Sequence, residues 1–191
     1  MSVNFESYKI GTNNIVWSRK METRNPDKYI FDTQSIEMDC YSLLAFFFAS
    51  PSIHSITLKE SQSQLHRLPL SERWLIKEFL ISIAIKIRMI DDLMSAHGRK
   101  SYLPVESVVD IECEGEITHD NLREACNKII HATSLNFQHD SSHDEALIPK
   151  MILRGTKGKN KWIARLDIIP FTRAACELCN TYDEDWTVSA Y

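Results

Sequence analysis

The chain has 191 residues, 43% of them hydrophobic and 25% charged, a composition that excludes a collagenous or wholly disordered polypeptide. That length supplies one good core, so a single domain over 1–191 is expected, with a β elaboration at the N-terminus over 1–32. The net charge of −4 excludes a global attraction to nucleic acid, and any such binding must come from a local patch.

The opening MSVNFESYKIGTN has no basic segment followed by an apolar one, which argues against a secretory signal. Five cysteines at irregular spacing suit a reducing compartment better than a disulfide framework, so a cytoplasmic location is expected. In YKIGTNNIVW, residues 8–17, short β-favouring runs flank a turn composition and predict a small hairpin. Ile36, Met38, Tyr41, Leu44 and the aromatic run that follows predict a first helix ending before Pro51. The apolar runs 43–49 and 79–85 are shorter than the roughly 20 residues that span a bilayer.

After Pro69, Ser71 is placed as an N-cap, with Leu70 and Leu75 as a hydrophobic staple for a long helix over about 72–95. Between Phe79 and Ile90 apolar residues occupy nearly every side, the pattern of a central helix packed all round. Arg88 is spaced to pair with Asp91 or Asp92. SVVDIECEGEI, 107–117, alternates like an exposed edge strand or a loop. Thr118 is the N-cap candidate for a second marked helix over about 119–133, with Ile117 and Leu122 as its staple. The polar stretch 136–146 reads as a loop. ALIPKMILRG and KWIARLDII flank the Gly-containing basic turn TKGKN and predict a hairpin, and FTRAACELCNTY closes as a short helix. The expected fold is therefore mainly α (α+β): a helical bundle with a long central helix and a C-terminal β-hairpin plus helix.

On the second marked helix, His119, Arg123, Asn127 and His131 are spaced four apart and would form one polar stripe. Leu122, Ala125, Cys126, Ile129 and Ala132 or Thr133 would supply the apolar face beside it. Such a stripe is either the wet border of a packed helix or a site of chemistry. Histidine can give or take a proton near neutrality, and arginine presents a charged fork that fits a phosphate. Together they suit RNA cleavage without a metal or cofactor. His131 would act as acid or base, Arg123 would stabilise the charged phosphorane, and Asn127 would orient either group.

The run Asn127 to His131, N-K-I-I-H, resembles the HEPN domain, whose signature joins arginine, a polar residue and histidine on one helix. Here the arginine is Arg123, and Cys126 directly precedes Asn127. The resemblance implies a helical bundle that pairs as a homodimer, with two copies of the helix forming a cleft for RNA. The family includes toxin ribonucleases, antiphage defence proteins and catalytically dead binding modules, so the resemblance implies a role in RNA processing or defence, with or without catalysis.

RGTKGKNKW, 154–162, is the local basic patch: Arg154, Lys157, Lys159 and Lys161 could grip a phosphate backbone, with Trp162 available for stacking. A lysine-rich turn kept soluble is the simpler explanation of the same residues. Cys176 and Cys179, with His139 and His143, are zinc-ligand types, but CELC lies in an apolar helical segment and reads as core. Asp91, Asp92, Asp110, Glu112, Glu114 and Glu116 lack the fixed geometry that magnesium demands. With five glycines and no phosphate-loop, dinucleotide or GxSxG motif, enzymes built on glycine-rich loops are not expected. Two functions are carried forward: a HEPN-like RNA-binding protein acting as a metal-independent endoribonuclease, and a non-catalytic subunit that pairs with itself or with a protein partner.

Overall fold

A computed structural model describes residues 32–59, 64–96, 107–140 and 146–188, all within the unit Phe31–Tyr191. The hairpin expected over 8–17, and the N-terminal elaboration around it, lie outside the described residues. Helix α1 spans Thr33–Lys59 and a 3-10 turn Gln64–Arg67 leads into α2, Leu68–Ala96. Strands β1, Val109–Cys113, and β2, Glu116–Asp120, precede α3, Leu122–Ile130. Strands β3, Ser134–His139, β4, Leu147–Lys157, and β5, Asn160–Asp167, are followed by α4, Ile168–Val188. The five strands form one antiparallel sheet in the order β2-β1-β5-β4-β3.

The expected mainly-α bundle with only a hairpin is therefore corrected to an α+β architecture, and the reason lies in two edge strands. β2 follows a two-residue turn in which Glu114 and Gly115 both have positive φ, 54° and 87°, the backbone that matches the twist of a tight hairpin. Thr118, read from sequence as an N-cap, and residues 119 and 120, read as the start of its helix, are held instead in the ladder from Val109↔Asp120 to Cys113↔Glu116. β3 falls in the stretch read as a loop. Leu135 and Phe137 pack on the core while Asn136 is exposed, so period-2 alternation is present, in an edge strand whose outer side is polar.

The two edges fix the path of the chain. β2 is at one edge and β3 at the other, so α3 is the crossover that carries the backbone from one side of the sheet to the opposite one. Val109, Ile111, Met151, Leu153, Trp162, Ala164 and Leu166 are buried, whereas Arg154 and Arg165 on the alternate positions are exposed. The helices lie on the buried side, and their core residues join those strand residues in one cluster.

Helix α1 continues through Pro51 rather than stopping before it. Its buried residues, Ile36, Cys40, Leu43, Phe47, Ser50, His54 and Thr57, recur at alternating spacings of four and three, so one seam runs the whole length and the proline sits beside it on the exposed side. The continuous helix is also long and apolar enough to cross a membrane by length and composition, which the shorter apolar runs did not suggest. Here it packs along α2: Asp39 accepts hydrogen bonds from Ser82 Oγ and Lys86 Nζ, each at 2.7 Å. Ser50 Oγ accepts the Leu147 N–H at 2.9 Å and ties α1 to β4.

Helix α2 begins at Leu68, ahead of the proline, because a first-turn proline lacks only an N–H that would have no helical partner. Ser71 is then inside the helix, and Leu70 is exposed rather than stapled. One side carries Ile76, Leu80, Ile83, Ala84, Ile87, Ile90 and Met94 into the core, while Trp74, Ile85 and Met89 face outward. The helix is packed on one side, not all round. Glu72 is buried 3.6 Å from His54; burial raises its carboxyl above the usual range, opposed by Ser50, His54 and Arg73. Helix α4 is longer than the short helix expected and buries Phe171, Ala175, Leu178, Cys179 and Tyr182.

Candidate nucleic-acid interface

Helix α3 starts at Asn121, whose side chain accepts the Glu124 N–H at 3.2 Å, a standard N-cap geometry. Leu122, Ala125, Cys126 and Ile129 are buried, as their spacing predicts. Because the cap is Asn121 rather than Thr118, His119 is not part of the helix. It stands on β2 opposite Asp110, with its Nδ1 2.7 Å from that carboxylate. The four-residue polar stripe is thus corrected to three residues, with Arg123 and Asn127 inside α3 and His131 as its C-cap.

Those three side chains line a cavity of about 480 Å³ between α2, α3 and the β4–β5 hairpin. Arg88 comes from α2, Glu124 and Lys128 from α3, and Thr156, Lys157 and Trp162 from the hairpin. Four side chains in the lining are permanently cationic or ammonium (Arg88, Arg123, Lys128 and Lys157) and one, Glu124, is a carboxylate. Asp91 and Asp92 stand behind Arg123 and Arg88, which leaves a small local excess of positive charge in a chain of net charge −4, the condition for attracting an anion.

The hydrogen bonds fix which of these groups meets the cavity and which braces it. Arg123 is clamped by α2: its guanidinium pairs with the buried carboxylate of Asp91 and, at 3.0 Å, with Asp92. A phosphate would have to compete with two carboxylates, so Arg123 holds α3 against α2 rather than reaching for the ligand. Arg88 faces one carboxylate rather than two. Its Nη1 donates to Asn127 Oδ1 at 2.7 Å and its Nη2 lies 3.3 Å from Asp92. Asn127 Nδ2 in turn donates to Glu124 Oε2 at 2.9 Å. Both ends of the amide are engaged, which sets its orientation.

Burial alone would raise the Glu124 carboxyl, but hydrogen bonds from Asn127 and Lys128, with the charges of Lys128 and Lys157, hold it below the usual carboxylate range. Lys128 Nζ lies 3.2 Å from Glu124 Oε1 and 4.6 Å from the centre of the Trp162 ring, a cation held over an aromatic face. His131 is exposed, and its backbone N–H caps the helix by donating to Asn127 O at 3.0 Å. The imidazole itself makes no hydrogen bond with a described residue.

Only part of the basic patch of the hairpin meets the cavity. Lys157 lines the cavity, whereas Arg154, opposite Ile163, and Lys161, opposite Thr156, are exposed, and Lys159 is exposed at the turn. Trp162 is only 3% exposed and is corrected from a stacking platform to the floor of the site. Its ring lies against Gly155, its cross-strand partner, where a Cβ would occupy the indole itself. Gly155→Ala is accordingly expected to displace the ring and destabilise the protein by about 1–3 kcal/mol, seen as a lower urea midpoint at an unchanged slope.

Cys126 is fully buried, and desolvation pushes its thiol up to about 12. The position directly before Asn127 faces the core, where an arginine would bury its charge. Four of the acids weighed for magnesium face other side chains instead: Asp91 and Asp92 the Arg123 guanidinium, Asp110 the His119 ring at 2.7 Å, and Glu112 the Arg165 guanidinium at 2.9 Å. Among the described residues no cluster of three or more His, Cys, Asp or Glu side chains could hold a metal ion. The sequence reading missed Arg88, Glu124, Lys128 and Thr156. Glu124 and Lys128 carried a signal, the i, i+4 ion-pair spacing; Arg88 lies on another helix and had none. The chain matches no family model, no curated relative and no solved structure.

Proposed function

We propose that the protein is an RNA-binding protein of RNA processing or antiphage defence, and that its cavity holds a ribose-phosphate linkage for metal-independent cleavage. The observation that carries this reading is the convergence of Asn127, His131, Lys157 and Arg88 on one cationic cavity. In this scheme Arg88, Lys128 and Lys157 attract the backbone phosphate and offset charge that grows as the 2′-hydroxyl attacks phosphorus. His131, at the helix end and open to solvent, moves the proton of the attacking hydroxyl or of the leaving oxygen. Asn127 keeps the Arg88 fork aimed into the site, and Arg123 keeps α3 in place on α2. The HEPN resemblance agrees with the roles of Asn127 and His131 on this helix but not with the bracing role of Arg123, and the helical bundle it implied is replaced by the sheet.

Incubation of the protein with single-stranded RNA and tRNA in EDTA tests this. Cleavage to fragments with cyclic-phosphate and 5′-hydroxyl ends is expected, with DNA of the same sequence left intact because it lacks the 2′-hydroxyl. Intact RNA at excess protein would overturn the catalytic part.

A second reading, a non-catalytic subunit that pairs with another copy of the chain, is favoured by one observation. Met38, Tyr41 and Phe48 on α1, and Trp74, Ile85 and Met89 on α2, are large, apolar and exposed. Since a homodimer is expected on the first reading too, RNA cleavage in EDTA separates the two: cleavage supports the first, and a dimer by light scattering that leaves RNA intact supports the second.

A further inference from the structure

Helices α1 and α4 run antiparallel in a register set by two contacts. Thr33 Oγ1 donates to Asp183 Oδ2 at 2.8 Å. Seven residues further along α1 and seven back along α4, about two helical turns, the same register brings the thiols of Cys40 and Cys176 side by side. Cys179, one turn on from Cys176, is buried beside them. All five cysteines are free thiols, and Cys40 is buried while Cys176 is half-buried. The pair therefore has one member that a small solute can reach and one held behind it.

We propose that Cys40 and Cys176 are a peroxide-oxidisable pair, with Cys176 as the sulfur attacked first and Cys40 as the sulfur that resolves it into a disulfide joining α1 to α4. The neighbouring Cys40 thiol favours the Cys176 thiolate against burial and the nearby Glu37 and Glu177, and Cys40 itself is held in the thiol form. The Cys176 thiolate attacks one oxygen of a hydroperoxide; the S–O bond forms, the O–O bond breaks, and the other oxygen leaves to take up the proton the thiol lost. Cys40 then attacks the sulfenic sulfur; the S–S bond forms, the S–O bond breaks, and the departing oxygen leaves as water with the Cys40 proton. The two thiols lose two electrons, and hydrogen peroxide becomes two waters. The CxxC pair is not the redox unit in this scheme: burial first, then the neighbouring Cys176, pushes the Cys179 thiol up to about 12.

The test is made on the whole native protein. It is treated with a small excess of hydrogen peroxide, alkylated in denaturant and mapped by mass spectrometry without reduction. The expected result is one intramolecular peptide pair joining Cys40 to Cys176, two hydrogens lighter than the separate peptides and lost on reduction, with Cys113 and Cys126 alkylated. Cys113→Ser should keep the link and Cys176→Ser should remove it, and the wild-type map decides the matter even if the second variant folds poorly. A Cys176–Cys179 link, a link between two chains, a Cys176 sulfinic acid beside an alkylated Cys40, or no oxidation at all would each overturn the proposal.

Discussion

Arg123→Ala is expected to lower stability by about 3 kcal/mol, the low end of the range for removing one partner of a buried ion pair because the arginine is partly open to water. The physical cause is on α2. Asp91 has a side chain only 2% exposed and faces the Arg123 guanidinium, which also reaches Asp92 at 3.0 Å. Truncation leaves the Asp91 carboxylate in a poorly solvated place without its arginine and removes the brace between α2 and α3. Arg123→Lys should recover part of the loss, because a lysine restores the charge but not the fork that spans two carboxylates. Chemical denaturation of wild type, Arg123→Ala, Asp91→Asn and the double variant measures the coupling. The expected coupling is positive and large. If Arg123→Ala folds as well as wild type and loses only activity, the arginine acts on the ligand and the bracing role is wrong.

His131→Ala should behave in the opposite way. The side chain is exposed and its cap is made by the backbone, so stability is expected to stay within about 0.5 kcal/mol of wild type. Cleavage of RNA in EDTA should fall by about 10²–10⁴-fold, the usual loss when a proton-transfer group is deleted. Measured at saturating RNA, the loss should appear in kcat and leave binding nearly intact, because the phosphate is held by Arg88, Lys128 and Lys157 in this scheme. Unchanged cleavage would remove His131 from the mechanism. A lower melting temperature or a changed oligomeric state with no activity to lose would move the residue to the interaction reading.

What could be seen in the sequence was whatever rested on a strong local period or turn. The TKGKN hairpin appears as β4–β5, with Gly158 at a φ of 64° in its turn. The apolar face of α3 is buried at the residues its spacing marks. Two groups chosen for chemistry from separate segments, Asn127 with His131 and Lys157, line one cavity. What was hidden depended on partners far away in the chain. β3 is polar on its outer side and short, so only its pairing with β4, Ser134↔Arg154 onward, makes it a strand. His119 looked helical until the β1 ladder claimed it. Pro51 carried a local stop signal that the longer seam of α1 overrides. Trp162 looked like an exposed aromatic beside lysines because nothing local showed that Gly155 would receive its ring.

The route of α3 from one sheet edge to the other has a consequence for when the site comes into being. Hairpins β1–β2 and β4–β5 and the α1–α2 pair can form from neighbouring segments, but the β1–β5 ladder, with Asp110 opposite Arg165, must wait for a distant strand, and such non-local pairing is slow. A nascent chain that has emerged only through β3 already carries Arg88, Lys128 and His131 yet lacks the hairpin residues Lys157 and Trp162 that complete the cavity. A truncated product ending before β4 would therefore present the helix without the hairpin side of its pocket, and on the proposed mechanism activity toward RNA would require the β4–β5 hairpin.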